Sequence, residues 1–209
     1  MGQKTRSFLK NENSDFNNIL DSMLNLADAD AQTVTSAVTV SGVTKLTGNT
    51  GLTAGSGFSD AALYKSWIDN TGGVTITNIL IDLTGIRSTA ANDIIGNDGA
   101  ANAHIGQYTV AKSGTIFAAT IDCKEVPAGG DPDINLASAD EATLAEDSAL
   151  SAGSNPVTII NSGDHAAGGS VFSTALPGAD QYLYLVAGAA TDADYTTGVL
   201  HIRLYGTTA

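Results

Sequence analysis

Residues 115–126 read TIFAATIDCKEV, and their reading decides the fold. Phe117, Ala119, Ile121 and Cys123 recur at every second position, with Thr120, Asp122 and Lys124 between the later ones. A period of two is that of a half-buried strand, so this set is expected on one core-facing side. Residues 74–83, VTITNILIDL, repeat the pattern with Ile79, Ile81 and Leu83. The stretches HIGQYTVAK (104–112), PVTIIN (156–161), GSVFST (169–174), DQYLYLVAG (180–188) and GVLHIRLY (198–205) continue it. Turn-forming sequences such as NDG, KSG, AGGD, NSG and LPGAD separate them. With AVTVSGV at 37–43 this makes about eight short strands, and eight antiparallel strands with glycine-rich turns predict a mainly β, jelly-roll-like antiparallel sandwich.

Towards the N-terminus the period changes. Residues 1–13 are polar and aperiodic, so they read as an arm. Phe16, Ile19, Leu20, Met23 and Ala27 then fall at helical spacing behind Ser14, a good N-cap, which predicts a short amphipathic helix. A second helix is expected over 59–72, where Ala61, Tyr64, Trp67 and Ile68 share a helical face between Ser59 and Gly72, with Trp67 in the core. The chain therefore divides into an arm and helix over 1–34 and a sandwich body over 35–209. Within the body, 35–73 is rich in Thr, Gly and Ser and reads as an extended attachment segment.

Charge is distributed unevenly along the 209 residues, whose net value is -13. Lys4, Arg6 and Lys10 precede the first acid, Glu12, so the lead is +3 and the remainder is -16. No Lys or Arg lies between Glu125 and His201. Such a body repels phosphate backbones, which argues against nucleic acid as a partner. No apolar run approaches the roughly 20 residues that span a bilayer, and neither a signal peptide nor a membrane partner is expected. Cys123 is the only cysteine, so there is no disulfide framework.

The candidate sites weigh towards structure. Cys123 falls on the predicted core face, away from the electropositive setting a reactive thiolate needs. PAGGD, 127–131, lacks the Lys and Ser or Thr that follow the last glycine of a phosphate-binding loop. Asp131, Asp133 and Asn135 match the first three ligand positions of a calcium loop, but Leu136 stands where that loop requires Gly and Ala142 where it requires Glu. They are the only metal candidates, and a solvated strand link is the expected reading of this stretch. Asp164 and His165 adjoin, yet no nucleophile or zinc signature accompanies them, and His104 and His201 sit beside Ile105 and Ile202 on strands. No cofactor and no catalytic residue are expected, although acids near Asp164 and His165 leave open an enzyme acting on cell-envelope polymers.

Residues 80–150, from LIDLTGIRSTAANDIIGNDGAANAH through CKEVPAGGDPDIN to EATLAEDSAL, together with LPGADQYLYLVAG (176–188) and YTTGVLHIRLYG (195–206), resemble virion structural proteins of marine tailed bacteriophages, especially cyanophages. The likeness covers roughly 74–206 and implies a structural part of the particle, with no catalytic residue to carry over. A chain this short, uniformly β and acidic fits a capsid decoration, or cement, protein better than a major capsid or genome-facing one. That expectation places it on the outer surface of the capsid as a homotrimer. It would be held to the major capsid protein by Lys4, Arg6, Lys10 and the apolar stripe of Phe16, Ile19, Leu20 and Met23. The alternative is a neck, tail-tip or fibre-base component.

Overall fold

A computed structural model describes residues 51–207 of the chain. The arm, the helix expected over 14–30 and the strand expected at 37–43 lie outside them, and with them the proposed interaction residues Lys4, Arg6, Lys10, Phe16, Ile19, Leu20 and Met23.

The described residues form eleven strands: β1 (Leu63–Thr71), β2 (Val74–Asp82), β3 (Arg87–Ser88), β4 (Gly106–Gln107), β5 (Thr115–Ala128), β6 (Ile134–Ala139), β7 (Val157–Ile160), β8 (Ser170–Phe172), β9 (Tyr182–Ala187), β10 (Ala193–Asp194) and β11 (Thr197–Thr207). A single helical turn, α1 (Val110–Ser113), precedes β5. One sheet has the order β1-β2-β11-β5-β8 and the other β4-β9-β6-β7, with β3 and β10 forming a separate ribbon. All pairings are antiparallel. Without β1 and the ribbon, the remaining strands pair outermost with outermost, β2 with β11, β4 with β9, β5 with β8 and β6 with β7. This is one long hairpin rolled into two facing sheets, the jelly roll expected from the strand count.

Apolar side chains from both sheets meet in one core. Ile79, Ile81, Ile121, Leu200, Ile202 and Leu204 come from the large sheet, and Ile134, Leu136, Leu183 and Leu185 from the small one. The small sheet is buried on its other side as well. There Ala137, Ala139, Tyr184 and Val186 pack beneath Ile94, Ala103, Leu144 and Leu150 from the long connections. Burial on both faces removes the polar alternation from β6, every residue of which is buried. Residues 134–139 were for that reason readable only as loop.

The helix expected over 59–72 is β1. Gly72 and Gly73 adopt φ values of 60° and 85°, which only a two-residue mirror-image turn requires, and Thr71 pairs directly with Val74. Tyr64 and Ile68 are spaced by four in either conformation, so the apolar spacing did not discriminate; the glycine pair and the waiting edge of β2 do. Pairing turns Ile68 inward and puts Trp67, expected in the core, on the opposite face, where it stacks on His201 at 5.6 Å. Leu52 and Phe58, which precede β1, are buried in the main core.

Phe117 is a second correction. In the β5–β11 ladder Ala118 pairs with Tyr205 and Ile116 with Gly206, so Phe117 is the extra residue of a bulge and the alternation slips by one. Ile116 is turned inward and Phe117 is 52 % exposed. HIGQYTVAK is only partly strand: Gly106–Gln107 pairs, and Val110–Ser113 is the helical turn.

Candidate functional site

The acidic turn that links β5 to β6 is folded rather than solvated. Asp131 is wholly buried. Its Oδ1 accepts from the Asp133 amide at 3.0 Å, and its Oδ2 accepts from the Ala189 amide at 2.6 Å. Its own amide donates to Ser88 Oγ at 2.9 Å, and its carbonyl accepts from the Tyr195 hydroxyl at 2.8 Å. Asn135 Oδ1 accepts from the Ser162 amide at 2.9 Å. Asp131 and Asn135, two of the three residues that matched a calcium loop in spacing, are thus spent on the backbone, while Asp133 Oδ1 is buried without a hydrogen-bond partner. Among the described residues no three His, Cys, Asp or Glu side chains gather as metal ligands. Asp133 is held above the ordinary carboxylate range by burial, then by the charges of Asp131 and Asp164.

His165 lies beside this turn, and sequence reasoning missed its neighbour Ser162, whose Oγ is 3.3 Å from Nε2. Nε2 is also 2.9 Å from the Ile134 carbonyl, which only accepts, so this nitrogen carries the proton. It cannot take the proton of Ser162, whose hydroxyl donates to the same carbonyl at 2.5 Å. The pair closes the end of β6; it does not activate a nucleophile. Cys123 is buried as expected, its Sγ 3.2 Å from the Glu125 carbonyl, and burial followed by the Glu125 charge pushes the thiol up. His104 tilts against Tyr182 at 5.0 Å and burial holds it below the ordinary histidine value.

The outward side of the large sheet differs from all of these. The loops that roof the small sheet have no counterpart there among the described residues. The cross-strand register lays Phe172, Thr120, Arg203, Asn78 and Trp67 in one row from β8 to β1, with Ser170, Asp122, His201 and Leu80 in the next. Asp122 sits at the centre, 5 % exposed. It accepts from Ser170 Oγ at 2.7 Å and Arg203 Nη2 at 2.5 Å, with Lys124 Nζ at 3.5 Å. Burial alone would raise its carboxyl, but the Ser170 hydroxyl and the Arg203 and Lys124 charges outweigh that and hold it below the ordinary value. His201 Nε2 lies 3.0 Å from Asn78 Oδ1, and burial followed by the Arg203 charge holds the imidazole below its ordinary value. Arg203 also lies over the Tyr205 ring at 5.8 Å, and Phe117 tilts against the same ring at 6.4 Å. Phe172, at the β8 edge, is 68 % exposed.

This face joins Trp, Tyr, Phe and Arg around a neutralised charged centre, the composition in which protein contacts concentrate their energy. Ser170, Asp122 and Arg203 are bonded to one another across the strands and His201 meets Asn78, while Thr120 Oγ1 and Arg203 Nε are buried without a hydrogen-bond partner. No helix among the described residues is long and apolar enough to cross a membrane. Comparison of the chain with protein-family models, curated proteins and solved structures finds no match.

Proposed function

We propose that the chain is a structural protein of a tailed-bacteriophage virion, a capsid decoration protein seated on the outer surface of the head. Its N-terminal region lies on the major capsid protein, and its acidic jelly-roll body projects outward. Copies of the body associate as a homotrimer through the open face of the large sheet. The observation that carries the reading is the contrast between the two sheets: one is roofed by the chain's own loops, whereas the other presents Trp67, Arg203, Tyr205 and Phe172. Asp131 and Asn135 of the acidic turn, the thiol and His165 are engaged in holding the fold.

The test compares two variants by their occupancy on particles. Lys4, Arg6 and Lys10 changed together to Gln remove at most about 3 kcal/mol, since exposed charges contribute about 0–1 kcal/mol each. Ile19 and Leu20 changed together to Ser remove about 1.5–3 kcal/mol per buried side chain. Occupancy is expected to fall mainly in the second variant. Loss confined to the first would overturn this account of attachment.

A further inference from the structure

A cleft of about 360 Å³ opens where the segment before β1 meets β4, α1 and the start of β9. Its apolar lining is Leu52, Ala54 and Ala142 with the half-buried rings of His104 and Tyr182. Its polar lining is Thr53, Gln107, Thr109 and Lys112. The volume falls at the lower end of small-molecule sites, which run from about 300 to 1,000 Å³ and combine aromatic walls with a few polar groups. The wall made by residues 52–55 is fixed by the fold. Leu52 donates its amide to Ser66 Oγ at 2.8 Å and its carbonyl accepts from the Tyr64 hydroxyl at 3.2 Å, while the Gly55 amide donates to the His104 carbonyl at 2.9 Å. Gly106 lets Leu52 press directly on β4, for a Cβ there would lie 2.4 Å from Leu52 Cβ.

The charge of this cleft is the reverse of the chain's. The net charge is -13, yet among the described residues no Asp or Glu lines the cleft. The acids adjacent in sequence to its elements face other groups: Asp180 Oδ1 is 3.3 Å from the Val110 amide, and Glu141 Oε2 accepts from the Ser154 amide at 2.6 Å. Arg87, Lys124 and Arg203 are ion-paired, whereas Lys112 pairs with no acid among the described residues. Burial holds His104 below the ordinary histidine value, which leaves Lys112 as the one charge of the cleft at neutral pH. The hydroxyls of Thr53, Thr109 and Tyr182 likewise have no partner among the described residues. A single ammonium, with no guanidinium fork beside it, suits one carboxylate better than a phosphate. Three hydroxyls and an amide beside aromatic and small aliphatic side chains suit a ring that is polar at its edge and apolar on its faces.

We propose that this cleft binds a carboxylated sugar ring of the hexuronate class, with its carboxylate on Lys112, its hydroxyls on Thr53, Thr109 and Gln107, and its C–H face against Tyr182 and Leu52. Gln107 is already oriented for this, since its Nε2 donates to the Asp180 carbonyl at 2.8 Å and leaves Oε1 to accept from a sugar hydroxyl. The proposal stands independently of the virion reading.

The experiment titrates the full chain, observed by amide NMR, with methyl β-glucuronide, methyl β-glucoside, cyclohexanecarboxylate and inorganic phosphate. The glucuronide is expected to move the Thr53, Ala54, Gln107 and Lys112 signals saturably. The other three should bind more weakly, because they lack the carboxylate, the hydroxyls and the ring respectively. Lys112→Gln, a change at an exposed side chain that leaves the fold intact, should weaken glucuronide binding about fivefold, the upper end for an exposed ion pair, and bring it level with the glucoside. Tyr182→Phe, which keeps the ring, should weaken it by a smaller factor. A glucuronate oligosaccharide that binds more tightly than the single ring assigns the site to a polysaccharide, and equal binding assigns it to a free sugar acid; either supports the proposal. The absence of saturable shifts, shifts indifferent to Lys112→Gln, or glucoside, cyclohexanecarboxylate or phosphate binding as tightly as the glucuronide would overturn it.

Discussion

Asp122→Asn isolates the charge at the centre of the open face. The substitution keeps the shape and an oxygen for Ser170, and it removes the anion that Arg203 meets at 2.5 Å and Lys124 at 3.5 Å. Breaking a fully buried pair costs about 3–5 kcal/mol, and an exposed pair about 0–1 kcal/mol. The Asp122 side chain is 7 % exposed and that of Arg203 33 %, so the expected loss lies between, about 2 kcal/mol. In a domain of this size that corresponds to a drop of about 4–8 °C in Tm. Urea unfolding read by linear extrapolation gives the free energy, with an unchanged slope showing that the unfolded state is not the cause. Arg203→Met should cost at least as much, because it leaves the more buried charge, Asp122, without its nearest cation, and the double variant should show a coupling of about 1 kcal/mol, because the two side chains act on one bond. A cost for Asp122→Asn below about 0.5 kcal/mol, the level of an ordinary surface change, would refute the claim that this pair ties β5 to β11.

Three further outcomes follow from the same physics. Gly206→Ala would place a Cβ 1.9 Å from the Ser113 carbonyl, so it should displace α1 and destabilise by about 1–3 kcal/mol, checked by urea unfolding. His104 and His201 are both held below the ordinary value in the fold. The unfolded chain therefore gains protons first as pH falls through about 6.5, and stability drops. A His104→Gln, His201→Gln variant should show a shallower fall in Tm between pH 7.5 and 5.5, and an unchanged slope would contradict the assignment. Removing residues 1–30 should leave the body's thermal melting within a few degrees of the full chain while abolishing attachment to particles; a truncated chain that no longer folds would contradict the division into arm and body.

Sequence pattern carried β2 and β11, which have one wet and one dry face and so write a period of two, and it carried β9, dry on both faces, through its apolar run between turn signals. It missed β6, whose two faces are both dry, and it misread β1, where apolar residues four apart suit a helix as well as a strand. The bulge at Phe117 was invisible because nothing local signals a register slip set by Gly206 on the partner strand. Of the functional features, the bland reading of Cys123 was legible from alternation. The burial of Asp131 was not, since the groups that bind it, Ser88, Ala189 and Tyr195, are brought to it by the roll. The open face was equally hidden: Asp122 and Arg203 are 81 residues apart, and only the β5–β11 register makes them neighbours.

The most direct test of the proposed role is the stoichiometry of this chain against the major capsid protein in purified particles, measured by quantitative mass spectrometry. A decoration protein is present in a fixed, small-integer ratio to the capsid lattice and is lost from particles together with its outer layer. A copy number matching the symmetry of a single neck or tail ring, or absence from washed particles, would contradict the account.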